Sequence, residues 1–351
     1  MSLAYQAVGW NRHKKIYDAV VLGGSLGFLA VFAAVTLATQ PNVTPETLLI
    51  RSTGSLALVL LHLVLVTGPL ARLDPRFLPL LYNRRHLGVT LGLVALVHGT
   101  ATVVQFHTQG DLNPLVSVLT GDGSYDSLGR FPFQPWGLGA LVILLLMTAT
   151  SHDFWLANLT PPVWKSLHML VYVAYGLLLA HVSFGVLQDE TSIGYPLLVG
   201  AGFVLVVALH LAAALKERHL DHNHTPPAGD GGDGFVDVCA VADIPEARAH
   251  VTCISGERVA VFRYGDRISA VSNVCQHQNG PLGEGRIIDG CITCPWHGFQ
   301  YRPDTGRAPE PFTDRIPTFD VRIVAGRVQV GARPHPPGTR VEPAMIGPET
   351  A

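Results

Sequence analysis

The sequence predicts a multidomain chain of the α-plus-β kind, with a six-helix transmembrane bundle followed by a small antiparallel β domain. Three observations carry this reading. Of 351 residues 48% are hydrophobic and only 14% charged, too apolar a balance for an ordinary soluble protein. The first two-thirds holds long uncharged runs, each near the ~20 residues that cross a bilayer as a helix. From residue 235 onward the apolar residues recur every second position in short runs, the pattern of half-buried strands.

The six runs cover 18–39, 52–70, 86–107, 136–152, 164–187 and 193–215. The first is long enough to span and no small-residue cleavage site follows it, so it reads as an uncleaved helix rather than a signal peptide. Basic residues fall on one side of the alternating spans: Arg12, Lys14 and Lys15 before the first, Arg72, Arg76, Arg84 and Arg85 between the second and third, then Lys165, Lys216 and Arg218. The opposite loops offer Arg51 and Arg130 among the acids Asp111, Asp122, Asp126, Asp189 and Glu190. Positive charge is retained on the cytoplasmic side, which places both termini and the β domain there, as in a bacterial inner membrane. No basic patch supports nucleic-acid binding, and lipid is the surrounding partner.

Residues 1–216 thus read as the membrane domain and 217–234 as a flexible linker rich in Gly, Pro and His. Within the linker "GDGGDG" has neither a preceding strand nor a following helix, so it is no dinucleotide loop. His219, His222 and His224 read as solvated linker residues. Residues 235–332 carry the strand runs "FVDVCAV", "RVAVFRY", "RISAVS" and "TFDVRIV", and 333–351 reads as a loose Pro-rich tail. All five cysteines lie after residue 238 at uneven spacing, which argues against a disulfide framework and for a reducing compartment.

Two short motifs in the β domain carry chemistry. "CQH" at 275–277 and "CPWH" at 294–297 give Cys-x-His, sixteen residues, then Cys-x-x-His. Two thiolates on one iron and two imidazoles on the other hold a sulfide-bridged [2Fe-2S] cluster, with Cys275 and Cys294 on the first and His277 and His297 on the second. Tetrahedral zinc suits the same four side chains. Cys239, Cys253 and Cys291 fall on apolar strand patterns and read as core residues.

Histidines inside the spans form a second constellation, because ionisable groups in lipid are costly and are functional candidates by default. The third span carries His86 and His98, and the fifth His168 and His181. Separations of twelve and thirteen residues are near whole multiples of 3.6, which keeps each pair near one helix face at levels roughly 18–20 Å apart. His86 opposite His168 and His98 opposite His181 would suit two stacked b-type haems with paired imidazoles. For His62 and His210, which have no partner at matched depth, a hydrogen-bonded core role and a proton or quinone role both stand open. His107 and His152, at span ends, read as interfacial.

The C-terminal domain resembles the Rieske family over residues 235–332, through its ligand spacing, "NGPLGEG", "CPWHG" and the "TGRAPEPF" turn. This resemblance implies a [2Fe-2S] cluster with Tyr301 beside it. High-potential members carry an extra disulfide and a Ser hydroxyl; here Gly280, Trp296 and Phe299 stand in those places, which implies a potential low in the Rieske range of about −150 to +300 mV. The first 216 residues are similar to the ferric reductase-like transmembrane family through "STGSLALVLLHLVLVTGPLARL", "RRHLGVTLGLVALVH", "LMTATS" and "KSLHMLVYV". That resemblance implies haem ligation at His98, His168 and His181, while His86 rests on the depth argument alone.

Together these readings imply an electron-transfer protein linking the cluster to one or two b-type haems, with an acceptor at or beyond the outer face such as ferric iron, oxygen or an extracytoplasmic redox enzyme. No nucleotide loop is present, so the donor is a separate cytoplasmic reductase or membrane quinol. A Rieske oxygenase fails for lack of room after the cluster motifs. A membrane-anchored redox sensor or assembly factor is the alternative.

Overall fold

The computed structural model describes residues 12–81, 84–120, 132–152, 155, 159, 161–185, 187, 192–223, 234–277, 279–295, 298–310 and 312–347. The helical part is built from α1 (Arg12–Thr39), α2 (Pro45–Leu73), α3 (Arg84–His107), α4 (Gln134–Ala149), α5 (Pro161–His168), α6 (Val171–Phe184) and α7 (Gly194–Asn223). Thr44 caps α2, its side-chain oxygen accepting from the Thr47 N–H at 3.3 Å, and Pro45 fills the first turn, where no N–H is needed. Leu56, Leu60, Leu61 and Leu65 of α2 pack with Leu87, Leu91 and Ala95 of α3, Leu144 of α4 and Ala174 and Tyr175 of α6. Glycine lets α3 and α4 approach closely: a Cβ at Gly92 would lie 1.9 Å from Thr148 Oγ1, and one at Gly99 2.6 Å from Leu141 Cδ2.

Among the described residues five helical stretches are long and apolar enough to cross a membrane, Val163–Phe184 across α5 and α6 counting as one of them, where the sequence predicts six. The fourth predicted span is α4, whose 16 residues reach only about 24 Å at 1.5 Å per residue, short of a hydrocarbon core of about 30 Å. The fifth is broken at Met169 and Leu170, where Leu170 N–H bonds Leu167 O (3.1 Å) and Tyr172 N–H bonds Met169 O (3.2 Å). These tighter i→i−3 bonds change the rotation between His168 and His181 from that of a straight α-helix. The last span also differs, since α7 continues through "KERHLDHN" to Asn223. Lys, Glu, Arg and Leu are good helix formers, and 30 residues exceed a bilayer's thickness, so the helix covers the first part of the predicted linker.

The β domain comprises β1 (Phe235–Ala240), β2 (Ala249–Ile254), β3 (Glu257–Tyr264), β4 (Arg267–Ser272), β5 (Arg286–Ile288), β6 (Cys291–Thr293), β7 (Gln300–Tyr301), β8 (Thr318–Phe319), β9 (Val321–Val324), β10 (Arg327–Gly331) and β11 (Ala344–Met345). They form three antiparallel sheets, β1-β10-β9, β11-β4-β3-β2 with β8 on β4, and β5-β6-β7. Ile244, Val259, Val261, Ile268, Phe319, Val328 and Val330 fill the core between the first two. The small third sheet carries one of the two Cys/His loops and stands apart from that core.

Up to residue 347 the Pro-rich end is tied down. Ala344 pairs with Ile268, Thr318 Oγ1 donates to Thr339 O (2.8 Å), and Val341 N–H donates to Asp304 O (2.8 Å). Proline fixes φ and so lowers the entropy lost when an extended strap lies down, while its neighbours supply the ladder bonds.

Candidate functional site

Two loops of the β domain share one backbone plan. Cys275 N–H donates to Gly280 O (2.9 Å) while Asn279 N–H donates back to Cys275 O (2.7 Å). Likewise Cys294 N–H donates to Phe299 O (2.8 Å) and Gly298 N–H to Cys294 O (2.9 Å). The residue four beyond each cysteine has left-handed backbone, φ 58° at Asn279 and 72° at Gly298, which these two residue types tolerate best. An antiparallel bridge between Val274 and Pro281 closes the first loop at its base. Asn273 braces the same base, its Oδ1 accepting the Gly283 N–H at 2.6 Å.

Cys275 and Cys294 are 1% and 2% exposed, and no disulfide joins any described cysteine. The His277 ring stacks on Phe299 with centroids 5.0 Å apart and planes 12° from parallel. Its Nδ1 is buried and makes no hydrogen bond among the described residues. His297 and Trp296 lie outside the described residues, and no three metal-binding side chains converge by themselves within them. A buried thiol pair and a buried imidazole nitrogen are the donor set that an iron-sulfide centre takes.

Tyr301 is fully buried behind the first loop. Its hydroxyl accepts the Gln276 N–H at 3.0 Å and lies 3.7 Å from Cys275 Sγ. Burial, and then the adjacent Cys275 sulfur, push the phenol far above the ordinary tyrosine value, so it keeps its proton and can donate toward that sulfur. Where a hydroxyl was sought at 299, Phe299 instead links His277 to Phe312, ring centroids 5.2 Å apart, which brings the "TGRAPEPF" turn over the loops.

Away from the loops, apolar burial pushes the Cys239 thiol up to about 11 and raises that of Cys291. Cys239 and Cys253 are buried, and Cys291 is half-buried.

In the bundle the structure brings His98 and His181 together, ring centroids 6.3 Å apart and planes 81° apart. The two Nδ1 atoms sit 3.0 Å from main-chain carbonyls, His98 at Ile50 and His181 at Phe133. Each Nδ1 therefore carries the proton, and each Nε2, which makes no hydrogen bond among the described residues, is left as a lone-pair donor. Glycine makes space beside both rings: a Cβ at Gly54 would stand 2.8 Å from His98 Cε1, and one at Gly137 2.6 Å from His181 Nδ1. The 6.3 Å gap accommodates one metal atom bonded to both rings, since imidazole–metal bonds run about 2 Å.

The other pair is not in contact. His86 Nδ1 lies 2.9 Å from both Asp18 oxygens, whereas His168 stacks on Trp164 at 3.9 Å with its Nε2 3.4 Å from Thr150 Oγ1. The helix break directly after His168 turns it away from the face a continuous helix would give it.

The structure also supplies partners that sequence reasoning missed. His62 Nε2 accepts from Tyr175 (3.1 Å) and His210 Nε2 from Tyr172 (3.0 Å), with each Nδ1 bonded to the carbonyl four residues back, Leu58 and Val206, at 2.8 Å. Both rings are hydrogen-bonded at both nitrogens. His107, at the end of α3, is buried, because the short helix Pro114–Thr120 folds back and Ser117 Oγ lies 2.8 Å from its Nδ1.

Residues 234–320 match the Rieske [2Fe-2S] domain, and residues 53–179 match the ferric reductase like transmembrane component. The ferredoxin component of an alkene monooxygenase system from Xanthobacter autotrophicus is 30% identical over 114 residues, 32% of this chain and 93% of the relative. The ferredoxin subunit of anthranilate 1,2-dioxygenase from Burkholderia cepacia is 38% identical over 91 residues, 25% of this chain and 79% of the relative. Among solved structures, a complex of reduced oxygenase and oxidised ferredoxin in carbazole 1,9a-dioxygenase aligns at 28% identity over 30% of this chain and 99% of the other, TM-score 0.28.

Proposed function

From the premise that the chain belongs to the Rieske [2Fe-2S] family and joins that domain to a ferric reductase-like membrane component, we propose that it conducts electrons between a cytoplasmic [2Fe-2S] cluster and intramembrane b-type haem, toward an acceptor at the outer face. Cys275 and Cys294 hold one iron of the cluster, His277 and His297 the other, with Tyr301 donating to the cluster's sulfur environment. His98 and His181 hold a haem at the outer level, while His86, bonded to Asp18, and His168, stacked on Trp164, are not brought together to hold a second. Bound, these groups supply reversible one-electron chemistry. The protein's own residues supply the rest: main-chain carbonyls fix the imidazole tautomers, Phe299 and Phe312 exclude water, and the basic loops orient the bundle.

The observation that carries this reading is the His98–His181 pair, two imidazoles with committed Nδ1 atoms facing one another between helices. Electrons enter from a separate reductase or membrane quinol, because the β domain is a ferredoxin-type module; its relatives are named as ferredoxin parts of oxygenase systems.

In proteoliposomes, a membrane-impermeant reduced flavin on the β-domain side is expected to reduce a ferric chelate trapped inside, and Cys294→Ala or His98→Ala to abolish the transfer. Trapped iron reduced at the same rate by both variants would refute the conduit. A smaller effect is expected from Tyr301→Phe. Removing one hydrogen bond worth about 0.5–1.5 kcal/mol should lower the cluster's midpoint by about 20–60 mV, read by EPR-monitored titration. An unmoved potential would mean that Tyr301 serves only the Gln276 N–H.

A further inference from the structure

The two facing imidazoles are served by one short plan repeated on two helices. On α2 the Ile50 carbonyl takes the His98 Nδ1–H, and Gly54, four residues on, leaves room for the ring. On α4 the Phe133 carbonyl takes the His181 Nδ1–H, and Gly137, again four residues on, leaves room for the ring. Directly after each carbonyl comes a long polar side chain, Arg51 on α2 and Gln134 on α4. Each stands three residues before its glycine, close to the helix face that meets the ring and about one turn nearer the helix N-terminus.

Neither side chain is spent on an opposite charge. Arg51 is exposed and donates from Nη1 to Gln40 Oε1 (3.0 Å), a neutral acceptor, and no carboxylate pairs with it among the described residues. Gln134 is half-buried; its Oε1 is fully buried and has no hydrogen-bond partner among the described residues. A half-turn of the amide exchanges its two ends and sets Nε2–H, a donor, in the same place. An amide buried without a partner carries a cost that a bound acceptor removes.

A porphyrin has two carboxylates on one edge, and a guanidinium fork and an amide N–H are donors suited to them. The two donors match that number, and the repeated plan puts them in equivalent places beside the two rings. We propose that Arg51 and Gln134 bind the two carboxylates of the haem held by His98 and His181. This rests on the outer-level haem reading above. A lipid phosphate offers Arg51 the same anionic oxygens, and the experiment separates the two sources.

The full-length protein is stripped of haem and titrated with haemin and with haemin dimethyl ester, whose carboxylates are capped, the paired-imidazole low-spin spectrum reporting binding. Wild type is expected to prefer haemin by about 10–100-fold. Arg51→Met should lose most of that preference and Arg51→Lys keep part of it, having charge without the fork. Gln134→Leu should lower haemin affinity by about 2–10-fold. Ester affinity stays at the wild-type value in all three variants, which also reports that both imidazoles remain in place. A wild type that binds the two compounds equally overturns the proposal, as do variants that discriminate between them as wild type does, the result expected if Arg51 serves a lipid phosphate. Equal loss of haemin and ester affinity assigns the two side chains to packing and overturns it as well. A wild type that gives no low-spin spectrum with either compound fails the haem reading itself.

Discussion

Cys294→Ala is expected to remove the [2Fe-2S] cluster outright, with iron in the β domain falling to background and its visible and EPR signals absent. Cys294 starts a loop that is held by a pair of backbone bonds, from its own N–H to Phe299 O and from the Gly298 N–H to its carbonyl. Behind it the β5-β6-β7 sheet has strands of two and three residues, far too little to order the loop without a bound group. Metal binding in small domains supplies on the order of 10 kcal/mol, comparable to the whole 5–15 kcal/mol of a typical domain's stability. The variant should therefore also lose the cooperative thermal transition of the β domain. Cys239→Ser is the control. Cys239 is equally buried, but burial keeps its thiol protonated, so iron should stay stoichiometric with a stability loss of about 1–2 kcal/mol from a hydroxyl placed in the core. Iron retained in Cys294→Ala would overturn the ligand assignment.

The contrast between these cysteines was legible in the sequence, because a metal site spaces its ligands across two loops while core cysteines fall on the two-residue period of strands. The equivalence of the two loops was not. Gly298 marks a left-handed position openly, whereas its counterpart is Asn279, which tolerates the same φ without announcing it. In the bundle, depth and spacing were enough to pair His98 with His181. They failed for His86 with His168, since the tightening at Leu170 and Tyr172 falls within an unbroken apolar run and leaves no mark in hydropathy. The Tyr175 partner of His62 lies 113 residues away, and no local pattern reports such a contact. The strap after residue 333 was misread because proline content signals an extended chain equally well whether that chain is solvated or, as here, bonded to Ile268 and Asp304.

His98→Ala and His181→Ala are each expected to abolish the paired-imidazole haem spectrum at the outer level. A hydrogen-bonded core histidine would also destabilise the bundle when removed, so loss of haem alone does not separate the roles; the neighbouring glycines do. A methyl group at Gly137 would press on His181 Nδ1 at 2.6 Å and one at Gly54 on His98 at 2.8 Å, so Gly137→Ala must tilt the ring and stretch its bond to Phe133 O. Disturbing a partner that orients a ligand typically costs 10–100-fold in affinity. Gly137→Ala should therefore lower haem occupancy on that order while far-UV helix content and the His62–Tyr175 pairing stay intact. If His181 were only structural, the same substitution would change thermal stability and leave occupancy alone. Added imidazole supplies a decisive arm, since the space vacated in His181→Ala lies beside Gly137 and can admit the free base. Recovery of the low-spin spectrum with imidazole identifies position 181 as a ligand; unchanged haem content in both alanine variants assigns the 6.3 Å approach to packing.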